Sequence, residues 1–285
     1  MKRLLLLGIL VAGGAGAVHV ESAQAISACG TITSSTTLTA DCAAPLTVGA
    51  SGITIDLGGH SVVCDTPVLL GLEVPSQVSG ATVRNGAVRG GVASCYQDVL
   101  VEGSSNELTS FRAVDSVNTG IVISGDSNRL LLVTANFNGL DGLSIVGSDR
   151  TLVRQSTFAA NGEDGVSLSL TNVNIVARSR SFLNGRAGIS VGAGSAAAVI
   201  TENHAFLNDT GIEFTQHAQA SAASLNQTYQ NNVGIKIDDG TTNNSIVLNG
   251  SYANHTWDTE DDNTNCDSNS WFNNLFSTAN QGCIG

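Results

Sequence analysis

The chain has 285 residues, with 24 acidic against 12 basic side chains and a formal charge of −12. That balance excludes the basic footprint of a nucleic-acid binder and gives no attraction to an anionic lipid surface. Six cysteines without a C-x-x-C or Cys/His spacing argue for disulfides rather than a zinc-thiolate site.

In chain order, Lys2 and Arg3 precede an apolar run from Leu4 to Val11, and "AQA" ends at Ala25. Residues 1–25 thus read as a secretory signal peptide, since the run is too short for the ~20 residues of a bilayer span. No second run of spanning length follows, so no membrane insertion is expected. The expected product is an exported monomer, secreted, periplasmic or at the cell surface. Without Lys2, Arg3 and Glu21 its charge is −13, and Lys236 is its one lysine.

Residues 26–52 hold Cys29 and Cys42 and read as an N-terminal cap. The stretch "GITIDLGGHSVVC" (52–64) reads as the first full strand, with Asp56 and His60 near its turn. Segments 64–80 and 91–106 are less regular and are expected as the walls of a surface groove. Clustering of the cysteines suggests the pairs Cys29–Cys42, Cys64–Cys95 and Cys266–Cys283.

A repeat then takes over. Glycine followed by an aliphatic residue recurs at Gly120, Gly142, Gly165, Gly188, Gly211 and Gly234, with spacings of 22 and then 23 throughout. Each opens a short alternation such as "GIVIS" or "GVSLS", which predicts a strand with one buried face. A second β-rich stretch opens each unit, as in "TLVRQ" and "VNIVA". Such units can stack coil on coil ~4.8 Å apart, strand on strand. Proline would break that ladder, and Pro45, Pro67 and Pro75 all precede the regular repeats. A helical repeat and a leucine-rich repeat do not fit the pattern.

The predicted fold is therefore all-β: a single-stranded parallel β-helix, or solenoid, of ~22–24-residue coils over residues 53–257. Asn118, Asn138, Asn161, Asn184, Asn208 and Asn231 are expected to stack at one corner. Phe137, Phe158, Phe182, Phe206 and Tyr229 are expected to fill the interior ring beside ring. Residues 258–285 read as a second cap. There Trp257 is read in place of the glycine, Trp271, Phe272 and Phe276 form a plug, and Cys283 closes it. The acidic run 258–262 is read as a solvated charge run in preference to a calcium loop.

Glycine-led strands, asparagine corners and the opening "ITIDLGGHSVVC" together resemble the right-handed β-helix repeat superfamily. It includes pectate lyases, polygalacturonases, alginate epimerases and lyases, and NosD-type carbohydrate-binding proteins. The resemblance covers roughly residues 50–285, and its catalytic signatures transfer poorly. "NTG" (118–120) lacks the polygalacturonase Asp, "GED" (162–164) only approximates the paired acids, and "GIKIDD" (234–239) has the Lys without the Arg. What it implies is right-handedness and a polysaccharide ligand, often a uronate.

One constellation can be tested. The residue before the repeat glycine is Asp141 in one coil and Asp164 in the next, so the two should stack ~5 Å apart. Glu163 adds a third acid, and Arg186 follows one coil on. Asp141, Asp164, Glu163 and Arg186 are weak catalytic candidates. Asp141, Asp164, Arg154, Arg178, Arg180 and Arg186 are the candidate ligand-binding set, with Ca2+ at Asp141 and Asp164 as the candidate metal. The bland reading makes the acids turn residues and Arg186 their surface partner. His204, His217 and His255 fall in separate coils. The expected function is polysaccharide binding along a groove, with lyase, hydrolase or epimerase activity left open. The alternative is a non-catalytic structural or adhesive solenoid.

Overall fold

The computed structural model describes residues 28–285 apart from 92, 193 and 216, and the signal peptide expected at 1–25 lies outside the described residues. Period-two alternation turns one side of each short strand inward. Ile121, Leu143, Val166, Ile189, Ile212 and Ile235 form one interior column, each at most 1% exposed. Leu143 pairs in parallel with Val166, and Val166, Ile189, Ile212 and Ile235 follow one another coil by coil. Burying one such side chain contributes ~1.5–3 kcal/mol before entropy is counted. The chain is a right-handed all-β parallel solenoid.

Each regular coil supplies three strands to three parallel ribbons. The first ribbon takes the strand led by the glycine, such as Val166–Ser169 and Thr210–Phe214. The second takes Leu152–Arg154 and Ile175–Ala177, and the third takes Thr157–Ala159 and Arg180–Phe182. Residues 28–48, expected as a cap, wind in the same ribbons. Ala28–Ile32 pairs with Cys42–Val48, which pairs with Leu70–Val74. All three expected disulfides are formed.

Corners are where this chain departs from ordinary backbone preference. Between the second and third ribbons, Leu132, Gln155, Arg178, Glu202, Leu225 and Leu248 all adopt a positive φ of 51–58°. Left-handed backbone costs a residue with a side chain ~1 kcal/mol or more. Asparagine ladders offset that cost. At the corner between the third and first ribbons, Asn138 Nδ2 donates to Asn161 Oδ1 (3.0 Å), Asn161 to Asn184 (2.9 Å) and Asn184 to Asn208 (3.0 Å). A second ladder, Asn203, Asn226 and Asn249, climbs the corner between the second and third ribbons, directly after Glu202, Leu225 and Leu248. A third corner carries Asn244 and Asn269.

Four expectations change. The ladder begins at Ser116, whose N–H donates to Asn138 Oδ1, so Asn118 stands outside it. Phe158 is interior, but Phe182, Phe206 and Tyr229 are not. Phe158 pairs with Ser181 while Ala159 pairs with Phe182, so the rings stand one position apart and on opposite faces of the ribbon. Phe182, Phe206, Tyr229 and Tyr252 stack outside, with centroids 4.8, 4.9 and 5.6 Å apart, and Phe137 is a corner residue 62% exposed. Finally, Trp257 pairs with Val233, so Asp258 takes the glycine's place, and the acidic run 258–262 is not simply solvated, since Asp258 and Asp261 are buried on the strand Trp257–Asp261. At the C-terminal end Trp271 is buried and donates from Nε1 to Asp261 Oδ2 at 2.8 Å, Phe276 is partly buried, and Phe272 is exposed.

Candidate functional site

The outer face of the first ribbon is built by counting outward from each glycine. Two positions before it, Tyr96, Asn118, Leu140, Glu163 and Arg186 form one corner column, each N–H donating to the carbonyl of the residue a coil earlier. One position before it, Asp141 and Asp164 stack, and the Asp164 N–H donates to Asp141 Oδ1 at 3.0 Å. The outward strand residues Leu100, Val122, Ser144, Ser167, Ser190, Glu213 and Lys236 complete the face. From Leu100 onward it therefore runs from apolar to charged along the axis. At its N-terminal end Leu69 is 69% and Tyr96 49% exposed. Val68, Leu69, Leu70, Pro45 and Glu73 line a cavity of about 320 Å³ there.

In the charged half the groups answer one another. Arg186 grips Asp164 through Nε (2.9 Å) and Nη2 (3.0 Å), and Nη2 also meets Ser190 Oγ (3.1 Å) and Glu213 (3.5 Å). The Ala187 N–H donates to the same Asp164 oxygen as Nε. Burial pushes the Asp141 carboxyl up to about 6, with Asp164 and Glu163 adding to the effect against the Asp164 N–H and Arg186. Burial also raises Asp164 and Glu213, and the guanidinium of Arg186 offsets part of it. Farther on, Lys236 bridges Asp238 (2.9 Å) and Asp262 (3.4 Å). Burial opposes the lysine's charge, but these carboxylates outweigh it and hold its pKa above the usual value.

Of the residues singled out from sequence, the structure brings together Asp141, Asp164 and Arg186, with Glu163 exposed at the adjoining corner. The other arginines lie elsewhere. Arg154 is on the second ribbon, Arg178 is in the corner beyond it and pairs with Glu202 (2.7 Å), and Arg180 lies on the third ribbon. There the Arg180 guanidinium sits 5.5 Å from the ring centroids of both Phe182 and Phe206. His204, on the third ribbon, His217 and His255 are exposed and separate from the acid row. Calcium does not fit the acid pair. It wants six to eight oxygens, whereas both Asp164 oxygens face a guanidinium, and no group of three or more His, Cys, Asp or Glu among the described residues could hold a metal.

Tyr96, Glu213, Lys236 and Asp98 carry no signal of their place in the sequence pattern. Asp98 occupies the glycine position between Gly71 and Gly120, and the missing glycine together with a step of 27 from Gly71 hid it. Its carboxyl is wholly buried, and neither oxygen has a hydrogen-bond partner among the described residues. Ser116, where later coils carry asparagine, also leaves its hydroxyl unpartnered. Burial pushes Asp98 up to about 8.

Stacked parallel strands, three ribbons and laddered corners define a right-handed β-helix protein. Residues 98–250 match the family described as right handed beta helix region, and the chain belongs to that family. None of the curated proteins matches it in sequence. It is similar in structure to the A-module of Azotobacter vinelandii mannuronan C-5 epimerase AlgE6, at 15% identity and TM-score 0.67 over 88% of this chain and 76% of that one. The Dettilon tailspike protein gp208 superposes at 15% identity and TM-score 0.66 over 85% of this chain and 53% of that one. The enzymatically active domain of bacteriophage CBA120 tailspike protein 2 does so at 13% identity and TM-score 0.61, over 86% and 42%. At such identities the likeness is one of fold, and the chain spans about half the length of the tailspike chains. No helix among the described residues is long and apolar enough to cross a membrane.

Proposed function

We propose that this chain is an exported protein that binds polysaccharide along the outer face of its first ribbon. The observation that carries the reading is one continuous strip, from exposed Leu69 and Tyr96 to the Asp141–Asp164–Arg186 row. An aromatic ring offers an apolar platform to a sugar's C–H face. Carboxylates and guanidinium groups held in fixed geometry make charge-assisted hydrogen bonds to hydroxyls. Mannuronan is the polysaccharide named for the similar epimerase module, which supports the ligand class. Three disulfides fit an oxidising compartment, secreted or periplasmic. Asp141, Glu163, Asp164 and Glu213 outnumber Arg186 here, so a hydroxyl-rich chain suits the strip better than a densely anionic one.

Processing of the bound chain is the second reading, and one feature favours it. A carboxyl with a pKa near 6 can give or take a proton near neutral pH. That makes Asp141 the candidate general acid or base of a lyase, hydrolase or epimerase. Affinity electrophoresis through gels of pectate, alginate and neutral glucans tests binding, and ultraviolet detection of unsaturated uronates or of new reducing ends tests turnover. Retardation that falls in Tyr96→Ala and Asp141→Asn is expected. Unretarded migration in every gel, or retardation indifferent to both changes, overturns the reading and leaves the structural solenoid.

A further inference from the structure

Positive charge is scarce on this molecule, and most of it is committed. Arg84, Arg89, Arg129, Arg150, Arg178 and Arg186 each reach a carboxylate. Arg112 forms no ion pair among the described residues. It stands on the outer face of the third ribbon, away from the strip described above, and it lines a cavity of about 530 Å³.

The cavity follows from side-chain size in one outward column. Ser61, Ala87 and Arg112 stack in register on consecutive coils. Two small residues under a long one leave a hollow that the arginine overhangs. Arg89, one column over, forms a wall and is already fixed, with Nη2 on Asp41 (3.0 Å) and Nε on Ser61 Oγ (3.1 Å). Ser110 and Asp115 close the rim. Both hold a positive φ, 51° and 68°, which sets Ser110 at the bend before the third-ribbon half of Glu107–Val114 and Asp115 just after it. Asp115 forms no ion pair among the described residues either. The hollow thus offers an uncommitted cation, an uncommitted carboxylate and two serine hydroxyls, and its volume lies within the range of small-molecule sites.

We propose that this cavity is a second, separate binding site for a small polyhydroxylated carboxylate the size of a single sugar acid. The ligand carboxylate sits on Arg112, and its hydroxyls meet Asp115, Ser61 and Ser110. An uncharged sugar would leave the guanidinium without a counter-ion, and a simple carboxylate would leave the far rim unused. The proposal does not depend on the first-ribbon reading, because no residue is shared.

Galacturonate, glucose and acetate, titrated separately into the folded protein and followed by amide NMR shifts, provide the test. Galacturonate should shift the amides of 86–89 and 110–115 saturably, and Arg112→Gln should weaken it about tenfold or more, as loss of a charge-assisted hydrogen bond predicts. Asp115→Asn should weaken galacturonate while leaving acetate unchanged. Thermal melting confirms that both surface variants stay folded. Acetate or glucose binding as tightly as galacturonate overturns the sugar-acid assignment. Affinity within twofold of wild type in Arg112→Gln, or shifts confined to the first ribbon, overturns the site.

Discussion

The regular coils from Gly142 onward and the irregular coils around residues 61–121 are made of the same three ribbons, yet they treat polar atoms differently. In the regular coils a glycine leaves room for the asparagine amide, and the amide passes its hydrogen bond to the next coil. In the irregular coils Asp98 replaces the glycine, Ser116 replaces the asparagine, and both end without partners. The arginine cavity and the exposed Leu69 and Tyr96 fall in that same stretch. A stacking repeat spends its polar groups on itself, so buried polar atoms without partners arise where it lapses.

The largest test breaks the regular coils. A Cβ at Gly165 would lie 1.8 Å from Ser181 Oγ and 2.6 Å from the Gly188 carbonyl. Gly165→Asp should therefore cost more than ~5 kcal/mol and yield no folded protein in urea melts. The converse pair Asp98→Gly with Ser116→Asn restores the rule in the irregular coils and should stabilise them. Folded Asp98 keeps its proton to about 8 against an ordinary value of 3.8, so the folded state binds more protons across that window. Wild-type stability should fall as pH rises from about 4 to 8, by up to ~5 kcal/mol. The double variant should lose most of that slope in calorimetry at pH 5 and pH 9.

Smaller effects sharpen the contrast on the outer faces. Arg186→Ala leaves Asp164, 3% exposed, without its guanidinium. The cost should be ~3 kcal/mol at pH 7 and less at pH 4, where Asp164 can take up a proton. Arg178→Ala removes an exposed pair and should leave the melt unchanged. Tyr229→Ala opens a gap between Phe206 and Tyr252 and should cost ~1–2 kcal/mol in the same melts.

The parallel coil was legible because the glycine spacing barely varies, and the inward Ile189–Ile212–Ile235 column follows from it. The disulfide pairs were legible from clustering. The face of each aromatic was not, because one residue of offset inverts it and a corner's length shows only in the backbone. Leu132, Arg178 and Glu202 give no local hint of left-handed backbone, since tertiary stacking rather than propensity holds them there. At the candidate site the Asp141–Asp164–Arg186 contact follows from coil arithmetic. Arg154, Arg178 and Arg180 are close to Arg186 in sequence but lie on other faces of the winding.

The ladders carry a genetic implication. Each turn between Gly142 and Gly234 offers upward the same amides and carbonyls that it receives from below. Excising a single 23-residue period, such as 166–188, would rejoin matching surfaces and shorten the rod by one step. Overall length in such a molecule can therefore drift by unequal exchange of repeats while each remaining layer keeps its contacts.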